Sequence, residues 1–382
     1  MGDTSNLVVA WRSVMMAMVC LPIIICIALL CLKKVERKAS FALAATLFTA
    51  VVAITPQIIG FAGFYDVYPG LTFFPLYNDL WLGPLVYLHA HLLLRQEPLG
   101  WRKLLILPGI LQTAYYTWAF LSLGDYKSKW AYSSDFHSPY IVPVESLLAI
   151  LFLGLALFKI WRIYHEYKDY IYATESIAIE FEPIWLKRII FILLVTGVLF
   201  ASIEIIELFV GLTYFAAFPV QVLIMLGIAW LSIEAVGRIN QPYPKLPISI
   251  DEENNPKQER NNEELEDANW QALAKKINAE VLTHKWFLEP RFSLRELASK
   301  MGTNEVYTSK AINKGMNLSF NDYINQKRVE FAQNLIRNTN LPLLSIALDS
   351  GFNSKATFNR VFKDQSGLTP SQYKHQEKAV NA

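Results

Sequence analysis

Cysteine is rare in this 382-residue chain, and the motifs of common catalytic sites are missing. The three cysteines, Cys20, Cys26 and Cys31, all lie in the first apolar run. That placement excludes a disulfide framework, and we interpret them as small apolar side chains of a helix. The sequence contains no G-x-S-x-G and no H-E-x-x-H pattern, which are signatures of serine hydrolases and zinc proteases. We therefore predict a protein that is not an enzyme and that uses no metal or other cofactor.

Charge is also scarce. Charged residues make up 18% of the chain, hydrophobic residues make up 53%, and the mean hydropathy is +0.27. A helix that crosses a bilayer needs roughly 20 mostly apolar residues. Seven runs of about that length carry two acids at most, namely 13–32, 39–65, 73–94, 104–124, 141–158, 189–212 and 214–233. The sequence therefore predicts a polytopic bundle of seven membrane helices.

The basic residues between these runs predict an orientation. Twelve lysines and arginines lie in the loops after the first, third and fifth runs, whereas three lie on the opposite side. Basic loops stay in the cytoplasm. We therefore expect a multi-pass protein of the bacterial cytoplasmic (inner) membrane, with its N-terminus outside and its C-terminus in the cytoplasm.

Four acids fall inside the apolar runs: Asp79, Glu145, Glu204 and Glu207. Charges in lipid are costly, and they usually face a bundle interior or a cavity. One interpretation is a sensor pocket that opens outward and responds to a small molecule or another extracytoplasmic signal. The other is that these acids are helix-end residues or structural hydrogen-bonding groups.

The composition changes after the last apolar run. Residues 238–267 hold four prolines, many asparagines and a dense set of acids, and such a segment cannot bury a core. We predict three parts: a membrane sensor domain over 1–237, a flexible linker over 238–267, and a soluble domain over 268–382. The soluble domain is basic from residue 285 onward, which favours an anionic partner.

The soluble domain repeats one helical pattern. Apolar residues over 294–301 predict a short helix, Gly302 ends it, and Thr303 or Asn304 caps the next helix. This is helix-turn-helix spacing. A longer helix is expected over 320–337, and the pattern then returns with a turn at Gly351. The two predicted units cover about 292–315 and 342–366, and the predicted fold class is all-α.

The second unit carries a specific motif. The run G-F-x-S-x-x-x-F-x-R-x-F-K-x-x-x-G-x-T-P-x-x-Y begins at Gly351 and ends at Tyr373. It resembles the DNA-binding domain of AraC/XylS-type transcription regulators over about 292–373. The resemblance implies that two recognition helices enter successive major-groove segments on one face of the DNA. One departure is Thr308, at a position where such domains usually have leucine.

The recognition helices supply the predicted DNA-binding residues. A recognition helix needs an apolar face for docking and a polar face for base contacts. Arginine can form a bidentate contact to guanine, asparagine can pair with adenine, and lysine mostly neutralises phosphate. The candidate DNA-binding residues are Asn304, Val306, Ser309, Lys310 and Asn313 in the first unit, and Ser354, Lys355, Asn359, Arg360 and Lys363 in the second.

Two functions fit these parts. The first is a membrane-tethered one-component transcription regulator whose partners are double-stranded DNA, the lipid bilayer, RNA polymerase, a second copy of the chain as a homodimer, and the sensed signal. The alternative is a membrane transporter or membrane enzyme with a helical interaction or autoregulatory module. The missing catalytic motifs and the lack of a clear internal repeat favour the first function.

Overall fold

The structure is a computed structural model that describes residues 10–210, 217–238, 242–247 and 263–380. Over this part the chain is helical, and it contains isolated β-bridges but no strand. The chain divides into two compact units. The first comprises 1–165 and 183–248, and the second comprises 166–182 and 249–382.

The larger part of the first unit consists of α-helices separated by short turns. They are α1 (Trp11–Leu32), α2 (Arg37–Phe61), α3 (Phe64–Val67), α4 (Asp79–Leu94), α5 (Leu107–Ser122), α6 (Tyr126–Tyr132), α7 (Val142–Thr174), α8 (Ala178–Phe181), α9 (Ile184–Val210) and α10 (Phe218–Arg238). The last turns of α7 and all of α8 belong to the second unit. Two 3-10 turns, Pro69–Leu71 and Gly100–Ile106, and a π-helix, Ser133–Ile141, complete this stretch.

Helix α1 shows why these elements suit a lipid environment. Its buried side chains, among them Met16, Cys20 and Ile23, recur at three- and four-residue steps. Its outward face is just as apolar, with Met18 63% exposed and Leu32 78% exposed. A helix that is hydrophobic all round belongs in a membrane or in a large core.

Five helical segments of the described chain are long and apolar enough to cross a membrane: Trp11–Leu32, Arg37–Phe61, Gly100–Ser122, Tyr126–Thr174 and Phe218–Arg238. The predicted run 73–94 becomes the 16-residue helix α4, which is shorter than the span required. Phe73 has φ +67° and Pro75 follows, so the helix cannot extend back through them. The predicted run 189–212 falls on α9, and residues 211–216 lie outside the described part. The count of seven stays a prediction.

Part of the predicted linker is packed against the first unit. Leu246 N donates to Leu94 O at 2.8 Å, and Gln96 N donates to Leu246 O at 3.1 Å. Tyr243 is buried and accepts a hydrogen bond from Trp185 Nε1 at 3.4 Å. Residues 239–241 and 248–262 lie outside the described part. The predicted domain boundaries at 237 and 267 stay predictions.

The second unit contains the helix-turn-helix domain, which we define as residues 263–380. Its helices are α11 (Glu263–His284), α12 (Leu294–Lys300), α13 (Glu305–Met316), α14 (Phe320–Asn338), α15 (Leu343–Asp349), α16 (Lys355–Ser366) and α17 (Pro370–Val380), with a 3-10 turn at Trp286–Leu288. Side-chain caps begin five of these helices: Ser293, Asn304, Ser319, Ser354 and Thr369. Each cap satisfies a backbone N–H that the helix itself leaves unpaired.

Two apolar cores share helix α14. The first core includes Ile277, Phe292 and Ile312 together with Phe320 and Ile324 from the start of α14. The second core includes Val329, Ala332 and Ile336 from its end, packed with Phe352, Phe358 and Phe362. One helix therefore holds both helix-turn-helix units.

Candidate nucleic-acid interface

Helix α13 presents the predicted polar face of the first unit. Val306, Lys310 and Asn313 are exposed and Ser309 is partly exposed. Asn313 Nδ2 donates to Ser309 Oγ at 3.4 Å, as expected for residues four apart on one helix face. The opposite face, formed by Thr308, Ala311 and Ile312, is buried. The helix therefore combines a docking face with an exposed face that can reach DNA.

Thr308 fills the position where the resemblance leads one to expect leucine. Its side chain is fully buried, and its hydroxyl donates to Asn304 O at 2.9 Å. A buried hydroxyl is costly only when it lacks a partner. The departure is therefore accommodated within the helix.

Helix α16 presents the corresponding face of the second unit. Lys355, Arg360 and Lys363 are exposed, and Asn359 is partly exposed. The docking side is aromatic, since the rings of Phe358 and Phe362 lie 5.4 Å apart and those of Phe362 and Tyr373 lie 5.5 Å apart. Three of the candidate DNA-binding side chains of this unit thus extend from a rigidly packed helix into solvent.

Two candidate DNA-binding residues are engaged within the protein. Asn304 Oδ1 accepts from Tyr307 N at 2.8 Å, and Ser354 Oγ accepts from Thr357 N at 3.1 Å. Both side chains cap their recognition helix. They lie at the helix starts, where HTH domains approach DNA most closely, but their acceptor oxygens are already used.

Sequence reasoning missed Arg328, which joins the two apolar cores of the helix-turn-helix domain. Its guanidinium is fully buried on α14. Nε donates to Phe287 O at 2.6 Å and Nη2 donates to Glu289 O at 2.9 Å, in the turn that contributes Phe287 to the first apolar core. The same group lies 5.7 Å from the ring centroid of Phe352 in the second unit. Burial lowers the pKa of Arg328 to about 10, so it remains a cation at neutral pH.

Gly351 allows this junction to close. Its φ is +82°, and a Cβ at this position would lie 2.9 Å from Leu288 O and from Phe287 O. Only glycine accepts both that backbone conformation and that approach. The motif glycine of the second helix-turn-helix unit is therefore needed for the close approach to the turn Trp286–Leu288.

Tyr307 also escaped the sequence analysis. It is 54% exposed on α13, next to the exposed Val306, and its ring lies 5.6 Å from that of Trp270. An exposed aromatic side chain at the start of a recognition helix could have been identified from its neighbour at Val306.

The compact unit formed by residues 1–165 and 183–248 contains a polar cluster that includes two of the predicted sensor acids. We define it as Asp79, Gln112, Tyr115, Tyr116, His137 and Glu145. Tyr116 OH donates to Glu145 Oε2 at 2.9 Å, and Tyr115 OH lies 3.0 Å from His137 Nδ1. Asp79 and Glu145 are both electrostatic neighbours of the Tyr116 hydroxyl. The structure thus brings together two acids that are 66 positions apart in the sequence.

The other two predicted sensor acids lie on a different helix. Glu204 and Glu207 belong to α9, and their side chains lie outside the described part of the chain. Within the described part, the polar-cluster members that the sequence analysis did not single out are Gln112, Tyr115, Tyr116 and His137. His137 lies in the π-helix Ser133–Ile141.

Two helix-turn-helix units built on one shared helix define a tandem helix-turn-helix DNA-binding domain. Residues 297–376 match a family model described as a helix-turn-helix domain. Regulatory protein SoxS of Escherichia coli (strain K12) is 37% identical over 79 residues, which are 21% of this chain and 74% of SoxS. The chain belongs to the AraC/XylS family of transcription regulators.

A second relative differs in its proportions. The uncharacterized HTH-type transcriptional regulator SACOL0084 of Staphylococcus aureus (strain COL) is 34% identical over 88 residues, which are 23% of this chain and 12% of that protein. No solved structure matches this chain. The family match begins at residue 297 and does not include the apolar helices.

Proposed function

We propose that this protein is a membrane-tethered one-component transcription regulator. Its helix-turn-helix domain binds promoter DNA in the major groove, and its membrane domain controls that binding. The observation that carries the proposal is the pair of packed recognition helices with exposed Lys310, Arg360 and Lys363, in a chain that also contains five membrane-crossing candidates. RNA polymerase and a second copy of the chain are the further partners that we propose.

The two basic residues of α16 have different proposed roles. Arg360 makes a bidentate contact to a base, and Lys363 neutralises phosphate. Arg360→Ala should therefore cost roughly 1–3 kcal/mol on specific DNA and little on random DNA. Lys363→Ala should weaken binding to every sequence and reduce the salt dependence.

The test is a footprint by the full chain, reconstituted in nanodiscs, on the promoter region nearest its own gene. We expect protection of about two helical turns, lost in Arg360→Ala. The matched control is Lys276→Ala, which removes an exposed cation from α11, a helix that is not one of the two recognition helices. Equal behaviour of the Arg360 and Lys363 variants on specific and random DNA would contradict the assigned roles.

Membrane tethering is tested separately. In sealed inverted vesicles, protease should digest the helix-turn-helix domain, whereas vesicles of the opposite orientation should protect it. Extraction of the full chain by alkaline carbonate would show that the apolar helices do not anchor it. The proposed sensor role of the polar cluster predicts that Glu145→Gln changes reporter expression while the amount of membrane-bound protein stays the same.

A further inference from the structure

A segment from the membrane half of the sequence is bound to the helix-turn-helix domain. Residues 166–182, which we call the docking segment, form one compact unit with 249–382. Ser176 N donates to Phe292 O at 3.2 Å, and Glu175 forms an antiparallel bridge with Ser293. Asn321 Nδ2 donates to Glu175 O at 2.9 Å. The segment is therefore held by its main chain, as an added strand would be.

The centre of the docking segment is well packed. Ser176 and Ala178 are fully buried and Ile177 is 1% exposed. Asn321, the partner of Glu175 O, is itself buried and is held by Asn325 Nδ2, which donates to its Oδ1 at 3.1 Å. The docking segment thus has a buried centre, and its polar partner Asn321 is held in place by a second hydrogen bond.

The docking segment lies at the starts of the DNA-binding helices. Its bridge partner Ser293 caps α12, the first helix of the first unit. Glu180 Oε2 accepts from Asn353 Nδ2 at 3.4 Å, just before the cap of α16. Tyr172 is an electrostatic neighbour of Arg360. In helix-turn-helix domains, DNA phosphates contact helix N-termini and the recognition-helix start meets the bases.

The docking segment is also strongly acidic. It contains the five acids Glu166, Asp169, Glu175, Glu180 and Glu182, and its single basic residue is Lys168. The helix-turn-helix domain is basic from residue 285 onward. One of these acids, Glu180, meets the domain beside the start of α16, where DNA would supply negative charge.

We propose that the docking segment is an internal competitor of DNA, so that the helix-turn-helix domain binds DNA weakly while the segment is docked and tightly once it is released. This inference rests on the proposed function and supplies a means of control for it. Helix α7 carries Glu145 of the polar cluster and ends in the docking segment. A change at the polar cluster can therefore act on the docking segment through a single helix.

The surroundings of Glu175 make docking sensitive to pH. Burial raises the pKa of Glu175 to about 7, and the acids Glu296 of α12 and Glu305 of α13 add to this effect. Other charged groups near the docking segment are Arg295, which pairs with Glu305 at 3.2 Å, and Asp322 of α14. Docking therefore favours the protonated carboxyl and weakens as the pH rises.

A disulfide across the bridge pair gives a direct test. Paired residues of an antiparallel bridge have Cα atoms roughly 4.5–5.5 Å apart, which suits a disulfide. The variant is Glu175→Cys with Ser293→Cys, in a full chain whose three native cysteines are replaced by alanine, reconstituted in nanodiscs. The probe is a labelled 30-base-pair duplex of mixed sequence. The control is Ser293→Cys alone, which has the same altered cap and cannot cross-link.

We expect oxidation to weaken DNA binding by the double variant at least about tenfold, within the usual range of coupling between sites. Reduction should restore the affinity, and the single variant should not respond to oxidation. Equal affinities of the oxidised and reduced forms would overturn the proposal, and so would a failure of the disulfide to form. If the reduced form binds DNA no more tightly than the Arg360→Ala/Lys363→Ala double variant, the proposed function itself is refuted.

A second pair of variants avoids cysteine replacement. Ala178→Gln places a larger polar side chain in the buried centre of the contact, so we expect DNA binding to the same duplex to tighten several-fold. Ala173→Gln makes the same substitution at a partly exposed position of the segment and should leave the affinity unchanged. If Ala178→Gln binds DNA no more tightly than the native chain, the segment does not compete with DNA.

Discussion

Removing the guanidinium of Arg328 should loosen both helix-turn-helix units at once. Arg328→Met keeps most of the buried apolar volume but leaves Phe287 O and Glu289 O without their donors. Each unsatisfied buried carbonyl costs roughly 1–3 kcal/mol, and relief from burying a charge offsets part of that loss. We expect a net destabilisation of about 3 kcal/mol. Arg328→Lys should lose about half as much, because an ammonium lacks the fork that reaches both carbonyls.

Amide hydrogen exchange on the full chain in nanodiscs measures this effect locally. A loss of about 3 kcal/mol corresponds to roughly 150-fold faster exchange through opening of the domain. The faster exchange should appear both in α12 and in α16, because Arg328 contacts both units. Arg337→Met is the matched control: it makes the same substitution on the same helix at an exposed arginine paired with Glu377, and exchange should change little. Faster exchange confined to one unit would refute the idea that Arg328 joins them.

Three further predictions concern single positions. Gly351→Ala should destabilise the domain by more than about 1–2 kcal/mol, because the added Cβ collides with backbone atoms and the left-handed conformation is also strained. Gly302→Ala has φ +65° with open space around it, so it should cost only the strain. Thermal melts of the two variants check this difference. Thr308→Val should cost about 1 kcal/mol through its lost hydrogen bond and leave DNA affinity unchanged in a titration. Between pH 6 and 8, the docking segment of the native chain should bind the domain less tightly, by at most about tenfold, because the docked carboxyl of Glu175 has a pKa of about 7. The affinity of the chain for DNA should rise over the same range. In Glu175→Gln this rise should disappear.

Local signals predicted the helix-turn-helix domain closely. The predicted helix over 294–301 is Leu294–Lys300, and the predicted helix over 320–337 is Phe320–Asn338. These boundaries depend on caps and on glycine, which act within a few residues of themselves. The sequence also supplied two candidates for the cap of α13, Thr303 and Asn304, and the structure selects Asn304.

The remaining features depend on contacts between distant residues. Arg328 and Phe287 are 41 positions apart, and Asn321 and Glu175 are 146 positions apart. No sequence periodicity connects such distant pairs. From the sequence alone, an arginine in a helix is therefore predicted to lie on the surface, and the docking segment is predicted to be a loop between apolar runs. The start of α4 was missed for another reason, since hydropathy does not register the backbone conformation of Phe73.

The shared helix α14 limits the DNA sites that this protein can use. Both cores include parts of α14, and Arg328 joins them. The distance between the two recognition helices is therefore fixed. Their exposed residues also differ, with Val306 and Lys310 in one and Arg360 and Lys363 in the other. With the DNA-contact roles proposed above, we expect one chain to bind an asymmetric operator without a palindrome. Two flexibly joined readers would tolerate an insertion of one full DNA turn, about 10 base pairs, whereas this protein should reject insertions of both five and ten.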